Sequence, residues 1–139
     1  MRVAPPIVRA TGAGAVYFGI VFAWAFALGV VRVLVVAPRL GEVAAVLVEA
    51  PLVLAASWLA CLWTVRRLGV GPSVGERLIM GAVAFLLLMI VEFALSVLAF
   101  GRPASAGLEG FATPPGAIGL CAQIAFGFVP LLQRTARRP

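Results

Sequence analysis

Apolar residues in this chain gather into four long runs, over residues 14–36, 42–64, 78–100 and 117–132, separated by short segments that hold most of the Pro, Gly and Arg. A helix needs roughly 20 apolar residues to cross the hydrocarbon of a bilayer, and three of the runs exceed that while the fourth approaches it. The pattern predicts an all-α membrane protein with four transmembrane helices, forming one domain over 1–139. Short links between consecutive runs predict an up-down-up-down bundle.

The connections carry their own signals. Residues 37–41 read Ala-Pro-Arg-Leu-Gly, so Pro38 is expected to break the first helix. In the second connection Ser73 and Glu76 have the spacing of a capping box just ahead of the third run, which marks a helix start. The neighbouring stretch from Gly69 to Gly75 is rich in glycine, but it lacks the Lys-Ser/Thr ending of a phosphate-binding loop and reads as a turn. The third connection, from Gly101 to Gly116, reads as an exposed loop.

With 63% hydrophobic and 12% charged residues, the chain falls outside the composition of soluble domains. Every basic residue is Arg, and Lys, Asp and His are absent, a usage that suggests GC-rich bacterial coding. The net charge of +6 does not imply nucleic acid, because the arginines stand at the ends of the apolar runs and not on one face between aromatics. They report topology. Arg2, Arg9, Arg66, Arg67, Arg77, Arg134, Arg137 and Arg138 fall on one side, against Arg39 and Arg102 on the other. By the positive-inside rule both termini and the middle connection are expected in the cytoplasm of a bacterium, with the protein in its inner membrane. A signal peptide is the rival reading of the first run, with a small-x-small site at Ala25 to Ala27, but the run is long for the apolar part of such a signal.

Four polar side chains interrupt the runs, one in each: Arg32, Glu49, Glu92 and Gln123. At 1.5 Å per residue they lie roughly 6, 10, 12 and 9 Å below the outer boundary, so one polar intramembrane layer could hold them all. A charge in hydrocarbon costs about 2.5 to 3.5 kcal/mol, which predicts that they face one another. Two small-residue stripes, Ala15, Gly19, Ala23 and Ala27 on the first run and Gly119 with Gly127 on the fourth, are expected to allow close helix approach. Pro51, close after Glu49, should free a carbonyl near that layer.

Catalytic signals are missing. With no His, and with Ser57 and Ser96 inside spans, there is no nucleophile with a base, and Cys61 and Cys121 alone do not make a metal or haem site. They should differ in depth by roughly 20 Å, too far for a disulfide, and both are expected to be buried thiols. Of the tryptophans, Trp63 fits an interfacial anchor, and Trp24 and Trp58 are expected to pack inside. No enzyme activity, cofactor or metal is therefore expected, and the expected partners are the lipid bilayer and either a membrane-protein partner or further copies of the chain.

Two functions of different classes remain. The first is a non-catalytic accessory or assembly subunit of a membrane complex, docked through the small-residue stripes. The second is a homo-oligomeric small transporter or channel, using Glu49 and Glu92 as a proton or cation site with Arg32 as counter-charge. A receptor for a hydrophobic ligand lodged beneath the polar layer is a third.

Overall fold

The computed structural model describes residues 3–136. Among them are five helices and no strand: α1 (Pro6–Leu40), α2 (Glu42–Leu68), α3 (Val74–Ala99), the short α4 (Ala104–Gly110) and α5 (Pro114–Ala136). All but α4 are long and apolar enough to cross a membrane, as the sequence predicts. Arg2, Arg137 and Arg138, counted above for topology, lie outside the described residues.

The helices outrun the apolar windows at several ends, and the reasons are local. Pro38 does not break α1. The helix widens to a π turn over Arg32–Val36, where the Ala37 amide reaches back five residues to the Arg32 carbonyl, and it then runs on to Leu40. Such a turn suits a proline, which has no N–H to donate and would crowd the carbonyl four residues back. The break comes at Gly41 alone. Its φ of +83° is open to glycine at little cost, and its amide bonds the Ala37 carbonyl while its carbonyl receives the Ala45 amide. A second π turn, Leu95–Ala99, ends α3. The third connection is not simply a loop, since Pro103 leads directly into α4.

The start of α3 follows the capping-box expectation in part. The Ser73 hydroxyl accepts the Glu76 amide at 3.2 Å, but the Glu76 carboxylate reaches the Gly71 amide, at 2.8 Å, rather than that of Ser73. This end of the bundle is closed by charged groups serving loop backbone. Arg77 is buried and donates to the Gly71 carbonyl at 2.9 Å, Arg134 donates to the Pro72 carbonyl, and Arg9 stands 3.8 Å from Glu76.

In cross-section α1 and α5 occupy opposite corners, each packed on both α2 and α3. The buried core is concentrated toward the Arg9–Glu76 end: Ala13 and Tyr17 from α1, Cys61 and Thr64 from α2, Met80 from α3, and Phe126 and Val129 from α5. Helices inside a bilayer gain little from hiding apolar surface and depend on close packing instead. Here that packing needs glycine. A Cβ on Gly81 would stand 1.9 Å from the Gly127 carbonyl oxygen, and one on Gly14 would stand 2.6 Å from that of Met80.

The stripe predicted to make such contacts on α1 does not. Ala15, Gly19, Ala23 and Ala27 all face outward, and the packed face is instead Ala10, Ala13, Gly14, Tyr17 and Val21. In a helix that is apolar all round, small size does not say which face is turned inward. Trp24 and Trp58 likewise face outward, as Trp63 does. The two cysteines form no disulfide, and Cys121 is exposed where burial was expected.

One diagonal contact crosses the core. Pro130 lies inside α5 and can offer no N–H to the carbonyl of Phe126, four residues earlier. The Tyr17 hydroxyl, from α1, donates to that same carbonyl at 2.9 Å, and its ring stacks on Phe126 with centroids 4.6 Å apart. Nearby, the buried Gln133 donates to the Trp58 carbonyl at 2.6 Å, tying α5 to α2.

Candidate functional site in an open half of the bundle

Away from the packed end the long helices draw apart around a cavity of about 390 Å³. Its walls are largely apolar, with Phe18 and Phe22 from α1, Val53 from α2, Leu88 from α3 and Phe126 from α5. Phe111, Pro115 and Gly116, from the junction of α4 and α5, complete the lining.

Arg32, Glu49, Glu92 and Gln123 all line this cavity, joined by Glu42. They form two groups. Arg32 Nε lies 2.6 Å from Glu49 Oε2, an ion pair whose N–H is not aimed along the contact, and Arg32 Nη1 donates to Glu42 Oε2 at 3.2 Å. Across the cavity Gln123 Nε2 donates to Glu92 Oε2 at 2.7 Å. The other amide oxygen, Gln123 Oε1, is enclosed and has no hydrogen-bond partner among the described residues.

Local structure explains these pairings. Arg32 opens the π turn of α1, and the one-residue link at Gly41 returns the chain so that Glu42 and Glu49, two turns apart on α2, both reach its guanidinium. Glu92 lies one turn before the π turn of α3, and Gln123 meets it from α5. Glu42 is the partner that sequence reasoning missed, because it stood at the edge of an apolar window and was read as a boundary. The only available signal was its position directly after the turn that faces Arg32.

Pro51 contributes nothing to the cavity. It and Leu47, whose carbonyl it leaves unpaired in the helix ladder, are both on the outward face of α2. Ser57 and Thr64 are buried, but their hydroxyls are held by carbonyls of their own helix, Val53 at 2.7 Å and Ala60 at 2.8 Å. Among the described residues no three His, Cys, Asp or Glu side chains gather as metal ligands would.

The cavity therefore combines aromatic walls, one arginine engaged by two carboxyl groups, and a third carboxyl group served by a neutral amide. Such a chamber can enclose a small, largely apolar molecule and offer acceptor oxygens to its polar end. Compared with known protein families, curated proteins and solved structures, the chain matches none of them.

Proposed function

We propose that this is a non-catalytic multi-pass protein of a bacterial inner membrane, and that its cavity is a binding vestibule for a small molecule entering from the outer side. In this reading the long helices run up-down-up-down with both termini cytoplasmic. The observation that carries it is the convergence of Arg32, Glu49, Glu92 and Gln123, each from a different helix, on one cavity. Residues that hydrocarbon rejects mark ligand and ion pathways when they face the interior together. The arginine asymmetry supports the orientation. Transport through one copy is opposed by the packed half, where Tyr17, Met80 and Phe126 fill the space between the helices. A transporter or channel built on Glu49 and Glu92 would have to be a homo-oligomer.

Cysteine labelling tests the vestibule. Ala50, which lines the cavity, is replaced by Cys in a Cys61→Ala, Cys121→Ser background, and intact cells are treated with a membrane-impermeant maleimide. Ala50→Cys should react from outside and Ala84→Cys, at a fully buried position, should not. Labelling of Ala50→Cys only from the cytoplasmic side, or not at all, overturns the reading.

One observation favours a second reading, the accessory or assembly subunit. Ala23 and Ala27 from the outward stripe on α1 line, with Trp24, Leu59 and Trp63, an apolar groove of about 770 Å³ between α1 and α2. A partner helix packing there would be seen as a foreign subunit at fixed stoichiometry in native mass spectrometry of the mildly extracted protein.

A further inference from the structure

We propose that the vestibule is selective for an amphipathic organic monocation, an ammonium-type head on an aromatic or aliphatic body. The inference rests on the vestibule reading above and adds the chemistry of the occupant.

Charge comes first. Around the cavity one guanidinium faces three carboxyl groups, and that guanidinium is already engaged by Glu49 and Glu42. Glu92 has no cationic partner within ion-pair distance among the described residues, and its observed hydrogen bond comes from the amide of Gln123. Of the two enclosed polar atoms at the cavity without a hydrogen-bond partner, Arg32 Nε lies 2.6 Å from the Glu49 carboxylate that balances its charge, and Gln123 Oε1 is an acceptor with no such neighbour. An anion would meet three carboxyl groups and a guanidinium whose charge two of them already engage. A cation or an N–H group meets acceptors that the protein leaves unserved.

The walls narrow the class. A hydrated metal ion would forfeit its water against phenyl rings, whereas an organic cation is attracted to their faces. Phe18 and Phe22, with centroids 5.3 Å apart and planes tilted by 34°, form one aromatic wall, and Phe111 and Phe126 also line the cavity. At about 390 Å³ the chamber lies at the lower end of the range that holds small ligands, enough for one aromatic body with its head group.

The test uses two probes with the same benzyl body and opposite charge, benzyltrimethylammonium and benzylsulfonate, titrated calorimetrically into the full chain in lipid nanodiscs. Saturable binding of the ammonium at one per chain is expected, weakened at least 10-fold by Glu92→Gln and by Phe22→Ala, and unchanged by Leu98→Ala on the outward face. Benzylsulfonate should give no saturable signal beyond empty nanodiscs. Equal binding of the two probes, or ammonium binding indifferent to both Glu92→Gln and Phe22→Ala, overturns the cation assignment. If neither probe binds while Ala50→Cys still reacts from outside, the cation assignment falls and the vestibule stands; if Ala50→Cys is also unreactive, both fall.

Discussion

Replacing Tyr17 by Phe removes one oxygen atom and tests how this bundle handles a proline in its core. In most helices an interhelical hydrogen bond to a carbonyl is an extra, because the carbonyl keeps its own N–H donor four residues on. In membrane proteins such bonds contribute about 0.6 kcal/mol on average, with a maximum near 1.7. The Phe126 carbonyl differs, because Pro130 denies it the helical donor and the Tyr17 hydroxyl at 2.9 Å takes that place. Tyr17 and Pro130 are both fully buried. A buried acceptor left unserved costs about 1 to 3 kcal/mol. Tyr17→Phe should therefore destabilise by about 1.5 to 2 kcal/mol, roughly 10- to 30-fold in the folding equilibrium. The stacked ring is retained. Unfolding by sodium dodecyl sulfate in mixed micelles, followed by tryptophan fluorescence, gives this value directly. The decisive comparison repeats the substitution in a Pro130→Ala background, where an N–H becomes available to the same carbonyl. There Tyr17→Phe should cost no more than an ordinary interhelical bond. Equal losses in the two backgrounds would refute the argument, since the hydroxyl would then not be standing in for a missing donor.

Three further outcomes follow from the packing and the charges. Gly81→Ala forces α3 and α5 apart, because the new Cβ meets backbone at 1.9 Å, and should lose at least about 2 kcal/mol in the same titration, while Gly19→Ala, with nothing within 4 Å, should be neutral. Arg32→Gln strands Glu49 in a mostly enclosed site and should reduce the yield of monodisperse protein, with Glu49→Gln added to it restoring much of the loss; no rescue would mean that the pair is not coupled. Ser73→Ala should cost about 1 kcal/mol as a lost helix cap, and Glu76→Ala more, because Glu76 also serves the Gly71 amide and faces Arg9; the reverse order in thermal stability would contradict the arrangement at this end.

The number and approximate place of the long helices could be read from the sequence because hydrocarbon demands unbroken apolar runs. Which face of each helix turns inward was legible only where a polar residue marked it. Arg32, Glu49, Glu92 and Gln123 set the rotation of their helices at the open end, and the structure places all of them on the cavity. Elsewhere the pattern carries no sign, since lipid and protein interior are equally apolar, and Ala15, Gly19, Ala23 and Ala27 were assigned to the wrong face for that reason. Gln133 escaped notice because the fourth apolar window closed at Leu132, one residue too soon. Tyr17 could have been found from a different signal, Pro130 within an apolar run and one tyrosine in the whole chain to answer it. The π turns have no hydrophobic period of their own. Only Pro38 hinted at the first, and it reads equally well as a helix end.

Those two π turns, at Arg32–Val36 and Leu95–Ala99, both lie toward the cavity end, while the packed end is regular α-helix. A hydrogen bond that reaches back five residues encloses one residue more than an α-helical turn does. Each turn thus behaves as a one-residue insertion confined between a fixed base and a free end. Chain length can change by one residue in either turn, resetting the segments that follow Arg32 and Glu92, while Tyr17, Gly81 and Phe126 keep their register. The base of the bundle acts as a chassis and the far ends of α1 and α3 as adjustable fittings, which can vary in length without repacking the helices beneath them.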